Sequence, residues 1–284
     1  MKNILIYTII ASAIFASSCK KKIDLDVDDK DKKIVLNSVL ISDNDNISLN
    51  LSISKSILDN KKTEFIDNAS IILEENGTAL SNFTYTSNGN YTLNHHISEG
   101  AKYNITVNAN NLKQISSETV ILNHNEFEII DTARIMFEEE EHLKVKINIK
   151  NSSAESYFFI RCISLENEYP MSITSFDAQF SDVVDGNTVL FTNSISGAGD
   201  FNFEFIIPIY AYDYEYRLNE NLGDLYVVLS RVEESLYKYA LTKQKQMMVS
   251  GSPFAEPVQI YNNIENGFGI FASESMHADS LVVQ

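Results

Sequence analysis

Alternation of apolar and polar residues dominates the chain from about residue 33 onward. Between residues 47 and 53 isoleucine and leucine alternate with serine and asparagine, and residues 143–149 alternate in the same way with lysine and asparagine. A period of two places the apolar side chains on one face of a half-buried strand. Turn sequences such as 75–77 (Glu-Asn-Gly) and 185–187 (Asp-Gly-Asn) separate such runs. The pattern predicts a mostly β protein made of short strands in sandwich architecture.

The first half carries a more specific order of elements. An apolar run at 69–73 precedes Asn76-Gly77, and Tyr91 and Tyr103 each follow a glycine turn at the start of a strand. This order resembles the immunoglobulin-like or transthyretin-like modules of bacterial surface proteins. We therefore predict an immunoglobulin-like β-sandwich at 33–122, followed by a second β-rich domain at 123–284.

One segment breaks the alternation and predicts a helix at about 231–248. Ser230 and Glu233 have the spacing of a capping box. Val232, Leu236, Tyr239 and Met247 or Met248 can share one helical face, which we expect to pack on the second sheet.

The amino terminus has the order of a bacterial lipoprotein signal. Lys2 precedes an apolar run from Ile4 to Ala16, which as a helix spans only ~20 Å and is too short for the ~30 Å hydrocarbon core. The sequence Ala16-Ser17-Ser18-Cys19 resembles a lipobox, although many lipoboxes carry leucine where Ala16 stands. We predict a signal peptide at 1–18 and a covalent diacylglycerol and acyl lipid on Cys19. The alternative is a cysteine that happens to follow an ordinary secretory signal.

Residues 19–32 are dense in both charges and lack a core-forming pattern. They are typical of a solvated tether, and similar charged leaders resemble the surface-export signals of Bacteroidota lipoproteins. An alternative use of this segment is calcium binding by its aspartates, which begin like an EF-hand loop. The turn glycine and the final glutamate of that loop are missing.

The formal charge of −17 limits the classes of partner. So acidic a chain repels the phosphates of nucleic acids, and we expect no nucleic-acid partner. The same charge disfavours direct binding to an anionic bilayer, so we expect membrane attachment to be covalent.

Residue types that carry chemistry are few, and we expect no catalytic residues and no metal. Cys162 lies in an apolar strand-like run and is expected to be a buried, inert thiol. Adjacent His95 and His96 would point to opposite faces of a strand, which is poor geometry for one metal ion. The acidic run 138–141 is typical of a solvated hairpin, with a cation site as the alternative. A further alternative is a glycosidase site, in which two carboxylates from distant strands act as a catalytic pair.

The most distinctive stretch is 253–271, P-F-A-E-P-V-Q-I-Y-N-N-I-E-N-G-F-G-I-F. Gly267 and Gly269 flank Phe268 and fit a tight turn, or a strand that another backbone approaches closely. We consider two roles for the stretch: structural closure of the domain, and a partner surface that would include Phe254, Tyr261 and Phe268.

Together with the lipobox and the 69–107 module, this stretch resembles a Bacteroidota outer-membrane lipoprotein family catalogued as domain of unknown function 4249. The resemblance implies an outer-membrane, lipid-anchored, cell-surface location and a non-catalytic accessory or binding role beside a TonB-dependent outer-membrane transporter. It supplies no catalytic residues. Two alternatives stay open: a structural or assembly component of an envelope machine, and a cell-surface enzyme with an unknown substrate.

Two short motifs concern modification. The sequences Asp131-Thr132-Ala133 and Asp279-Ser280-Leu281 resemble the Bacteroidota O-glycosylation motif, whose acceptors here would be Thr132 and Ser280.

Overall fold

The computed structural model describes residues 32–55, 62–80, 82–109, 111–151, 153, 155–165, 170–175, 181–184, 186–194, 196–213, 216–221, 224–250 and 256–282. Residues Lys32–Gln284 form one compact unit by their internal contacts. The predicted signal peptide, the lipidation site Cys19 and the tether up to residue 31 lie outside the described residues.

Nineteen strands and one helix make up the described part. They are β1 (Ile34–Ile41), β2 (Asn46–Ile53), β3 (Ser70–Glu75), β4 (Thr78–Leu80), β5 (Thr84–Tyr85), β6 (Asn90–Asn94), β7 (Lys102–Asn108), β8 (Ile115–Val120), β9 (Phe127–Phe137), β10 (Glu140–Ile149), β11 (Tyr157–Ser164), β12 (Thr174–Ser175), β13 (Ser181–Val184), β14 (Thr188–Thr192), β15 (Phe201–Pro208), β16 (Tyr210–Asp213), β17 (Tyr216–Asn221), β18 (Leu225–Val232), α1 (Glu234–Val249) and β19 (Phe268–Leu281). The mostly β fold class is confirmed.

A nine-stranded sheet runs through both halves of the sequence. Its order is β13-β14-β11-β18-β19-β1-β2-β6-β5. The last strand, β19, lies parallel to β1 on one side and antiparallel to β18 on the other. The predicted domains 33–122 and 123–284 thus share this sheet, and the boundary between them stays a prediction.

Two four-stranded sheets cover one face of the long sheet. The sheet β4-β3-β7-β8 encloses a core with β1, β2 and β6, to which Leu73 and Tyr103 contribute from one layer and Leu36 and Leu51 from the other. The sheet β12-β15-β10-β9 encloses a second core with β11, β14 and β18. This is the two-layer arrangement that alternation predicted, and strands such as β1 and β10 bury every second residue as a sandwich requires.

Helix α1 packs on the opposite face of the long sheet. Leu236 and Val232 are buried against Phe159 of β11 and Ile270 of β19. Of the predicted helical face, Leu236 is buried, but Met247 and Met248 are 52% and 74% exposed. The predicted face is therefore not buried at Met247 and Met248, near the end of the helix.

The predicted start of the helix and its capping box are wrong. Strand β18 continues to Val232, and its pairing with β19 extends to the pair of Val232 and Glu274. Ser230 is therefore a buried strand residue, and the residue before the helix is Glu233, whose side chain makes no capping hydrogen bond. Tertiary pairing of the strand overrides the local capping signal.

The close approach predicted around Gly269 is confirmed. Gly269 has a φ of +111°, and a Cβ built on it would lie 1.9 Å from the carbonyl oxygen of Leu36 in β1. A Cβ on Gly267 would lie 2.7 Å from the carbonyl oxygen of Ile34. Glycine at these positions lets the last strand enter the sheet beside the first.

Two predicted hairpins are also present. Asn76 and Gly77 connect β3 to β4, and both have positive φ. Glu138 and Glu139 connect β9 to β10 with φ of 50° and 66°, so the acidic run sits in a hairpin turn.

Candidate functional site

A solvent-open cleft of about 460 Å³ lies at the amino-terminal end of α1. Its walls come from β8, the start of β11, the junction between β18 and α1, and the segment that leads to β19. Charged and aromatic side chains line it, among them Glu118, Glu155, Tyr157, Arg231, Glu233 and Tyr261.

Glu233 is held between α1 and β8. Its carboxylate accepts hydrogen bonds from the Thr119 hydroxyl, from the Val120 N–H at 3.1 Å and from the Ser235 hydroxyl at 3.4 Å. Burial raises the pKa of Glu233, and these donors counteract part of that shift. The residue links the helix to β8, the edge strand of its four-stranded sheet, so its first role is structural.

Arg231 forms the floor of the cleft. Its Nη2 donates to the Ser153 hydroxyl at 3.0 Å and its Nη1 to the carbonyl oxygen of Asn123 at 3.4 Å. Its Nε is buried and has no hydrogen-bond partner among the described residues. Desolvation lowers the pKa of Arg231, although an arginine stays charged at physiological pH.

Tyrosines and carboxylates form the outer wall. The Tyr157 hydroxyl donates to Glu155 at 2.9 Å, and burial together with this bond raises the pKa of Tyr157 above its usual range. Lys238 forms an ion pair with Glu234 at 2.6 Å, and its Nζ lies 5.9 Å from the ring centre of Tyr261. A cation already sits against the aromatic and acidic groups of this wall, as expected for cation–π contact.

This arrangement suits binding of a positively charged group better than it suits proton transfer or nucleophilic attack. The carboxylates outnumber Arg231, and aromatic rings stand beside them. In the part of the chain that the structure describes, no group of three or more His, Cys, Asp or Glu side chains is arranged to hold a metal ion. Over the same residues, no helix is long and apolar enough to span a membrane.

The structure describes two of the three residues predicted for a partner surface. Tyr261 lines the cleft, and its N–H donates to the Thr242 hydroxyl of α1 at 2.9 Å. Phe268 is the first residue of β19 and is 45% exposed. The Lys33 ammonium lies over its ring, 4.9 Å from the ring centre. Phe254 lies outside the described residues. The use of these side chains by a partner stays a prediction.

The two predicted modification acceptors are on the surface. Thr132 lies on β9, an edge strand, and Ser280 lies near the end of β19; both are exposed. Their glycosylation stays a prediction.

The remaining candidate groups have structural contacts. Cys162 is fully buried in the second core, as predicted, and burial raises the pKa of its thiol. His95 contacts Glu75 at 3.1 Å, whereas His96 contacts Asp45 at 2.7 Å. The adjacent histidines thus have different partners.

The cleft has no signature in the sequence because its residues are distant along the chain. Glu118, Tyr157 and Tyr261 each belong to a different segment, and alternation marks Tyr157 only as part of an apolar strand. One signal is present at Glu233 and Glu234, an acidic pair where an apolar strand is followed by a helix. We interpreted it as a cap.

Comparison with known families gives one match. The family model described as Domain of unknown function (DUF4249) matches residues 20–278. A search among curated proteins finds no match.

Proposed function

Because the chain belongs to the family of Domain of unknown function (DUF4249), we propose that it is a non-catalytic, lipid-anchored binding protein of the outer membrane that serves a TonB-dependent transporter. Its ligand or partner surface includes the cleft at the start of α1. In this proposal the protein has three parts: a lipid anchor at Cys19, a charged tether, and a folded body whose cleft binds a positively charged group.

The anchor rests on the order of segments. An apolar run that is too short to span a bilayer is followed by the lipobox-like Ala16–Cys19 and then by a charged stretch. The folded body begins at Lys32. The chain from Cys19 to Lys32 reaches at most ~50 Å when extended, so the body would stay close to the membrane surface.

The binding role is supported mainly by the hydrogen bonds and ion pairs that hold the charged groups of the cleft in place. Glu233 accepts three hydrogen bonds, Glu234 pairs with Lys238, and Glu118 pairs with Lys102 at 2.7 Å. Groups that are held in this way define a fixed electrostatic surface. A general acid or base must lie within hydrogen-bond reach of a substrate proton, whereas protein donors already engage these carboxylates.

Two observations support a transporter as the partner: the family resemblance at 253–271 and the acidic net charge of the chain. The body is strongly acidic, which favours a basic rim on a partner or a cationic cargo. The segment 256–264 runs from the end of α1 past the cleft to β19, so the most distinctive sequence of the family resemblance borders the cleft through Tyr261.

The anchor is tested by Cys19→Ser in the native host. We expect the variant to lose fatty-acid labelling and to leave the membrane fraction, whereas wild-type protein keeps both and is cut by protease added to whole cells. Labelling or membrane retention of Cys19→Ser would show that another segment anchors the chain.

The binding surface is tested by placing a photo-crosslinking amino acid at position 261 in living cells. We expect an adduct that contains a TonB-dependent barrel. The control position is 136, where Met136 is 68% exposed on β9, away from the cleft. Equal adducts from both positions, or adducts at 261 with other envelope proteins only, would contradict the assignment.

A further inference from the structure

The end of the first sandwich where the tether joins the body carries a cluster of lysines. The Lys33 N–H donates to the Ser54 hydroxyl at 2.9 Å, and Lys32 pairs with Glu64 at 3.4 Å, so the segments before β1, after β2 and around residue 64 meet here. The turn before β8 joins them, because a Cβ on Gly267 would touch both Ile34 and Ile115. The lysines of this end are Lys32, Lys33, Lys55, Lys62 and Lys113, and its carboxylates are Glu64, Asp67 and Glu265.

Two exposed phenylalanines flank a row of residues across the same end. Phe268 is opposite Val35, Val35 is opposite Ser52, and Ser52 forms a bridge with Phe65. Residues opposite each other in neighbouring strands share a face of the sheet, and the row spans ~14 Å at 4.7–4.9 Å per strand. Phe65 is 42% exposed and Phe268 45%. Aromatic rings beside lysines are typical of protein surfaces that enter the headgroup region of a bilayer.

The opposite end of the same sandwich has the reverse charge. It carries the turn between β1 and β2, the ends of β3 and β8, and the turn before β7. Among the described residues there, one lysine, Lys102, and three histidines, His95, His96 and His124, face the carboxylates of Asp43, Asp45, Glu74, Glu75, Glu99 and Glu118. Strand β1 has eight residues, which separates the two ends by ~25 Å.

We propose that the lysine-rich end, with Phe65 and Phe268, rests on the anionic headgroups of the bilayer that holds Cys19. This inference rests on the lipid anchor of the proposed function and adds an orientation to it. The body begins at Lys32, so a lipid on Cys19 would restrain the body from this end. The acidic end of the sandwich then points away from the bilayer.

The net charge of the chain does not prevent this contact. Electrostatic interactions are screened over ~8 Å at physiological ionic strength. Lysines at the headgroups therefore act at close range, while carboxylates ~25 Å away are separated from the bilayer by about three such lengths. The acidic net charge still disfavours free binding, so the surface orients a body that the lipid has already attached.

The experiment uses the mature chain with its Cys19 thiol coupled to a maleimide lipid in vesicles. The coupling is selective because Cys162 is fully buried, and it supplies the anchor whether or not the cell lipidates Cys19. Amide hydrogen exchange is then compared on vesicles with phosphatidylglycerol and on vesicles of phosphatidylcholine alone. We expect exchange in 62–69 and 111–115 to be about fivefold slower on the anionic vesicles, the effect of about one lysine at the surface.

Two double variants separate this surface from general electrostatics. Lys33→Gln/Lys113→Gln should abolish the protection that depends on anionic lipid. The control Lys102→Gln/Lys150→Gln removes the same charge elsewhere and should retain it. Equal exchange on both vesicle types, protection of the Asp43–Asp45 turn instead, or loss of protection in the control would overturn the orientation, and none of these results bears on natural lipidation.

Discussion

Arg161 and Glu274 form an ion pair across an intervening strand. Arg161 lies on β11 and Glu274 on β19, with β18 between them, and Nη1 is 2.6 Å from Oε1. The Glu274 side chain is only 8% exposed. The pair lies on the face of the long sheet that also carries α1 and fixes the relative position of three strands at the centre of the molecule.

Removing one partner of this pair should destabilise the fold. Glu274→Ala leaves the Arg161 charge without its carboxylate in a mostly buried site, and we expect a loss of about 2–3 kcal/mol, since Arg161 keeps some contact with water. The measurement is urea unfolding. The control Glu128→Ala breaks a pair with Lys150 at 4.0 Å in which the glutamate is 67% exposed, and it should cost less than about 1 kcal/mol. Equal losses in the two variants would contradict the structural role.

Replacement of Gly269 should interrupt the pairing of the first and last strands. Gly269→Ala places a methyl group 1.9 Å from the Leu36 carbonyl oxygen at a φ of +111°, and we expect a loss of more than about 3 kcal/mol. Gly77→Ala is the matched control, because Gly77 also has positive φ but has no atom within 4 Å of the added Cβ. It should cost about 1 kcal/mol. Thermal unfolding distinguishes the two, and similar melting temperatures would argue against the close approach.

Cys162 should react with a thiol reagent only after unfolding. The side chain is fully buried, and burial raises the pKa of its thiol, so little thiolate forms in the folded protein. In mature Cys19→Ser protein, we expect no rapid labelling by a disulfide reagent in buffer and one labelled thiol per chain in denaturant. Rapid labelling of the folded variant would mean that the second core is open to solvent.

Local alternation predicted strands such as β2 and β10 correctly because it records which face of a strand is buried. Ile47, Leu49 and Leu51 are buried in the first core, as their spacing requires. The parallel pairing of β1 with β19 has no local signature, since it joins the first and last strands. Its only trace in the sequence was the glycine at 269, which indicated a close approach without identifying the neighbour.

Local sequence patterns could not predict the start of the helix or the cleft, because both depend on contacts between residues that are distant along the chain. Ser230 and Glu233 fit a capping box, but β19 pairs with β18 through Val232 and keeps Ser230 in a strand. Glu233 then bonds Thr119 and Val120, which are remote in sequence. A cleft assembled from such contacts is visible only after the sheet has formed.

Glu233 should make stability fall as pH rises. Burial raises its pKa in the folded state, so the folded protein binds this proton more tightly than the unfolded chain, where glutamate titrates near ~4.3. Its contribution is most favourable below the unfolded pKa and is lost as pH rises through the folded pKa. Glu233→Gln removes this titration, so the stability of the variant relative to wild type should increase across that interval in urea unfolding at stepped pH. A flat difference or a falling one would contradict the burial of this carboxylate.

The role beside a transporter is tested most directly by the composition of the native complex. Tagged wild-type protein is purified from its own host in mild detergent, with Cys19→Ser as the control, and the co-purified proteins are quantified by mass spectrometry. The proposal predicts a TonB-dependent barrel in near-equimolar amount with wild type and much less with Cys19→Ser, which lacks the proposed site of lipid attachment. Recovery of the tagged protein alone, or of an outer-membrane assembly or secretion complex without such a barrel, would contradict it.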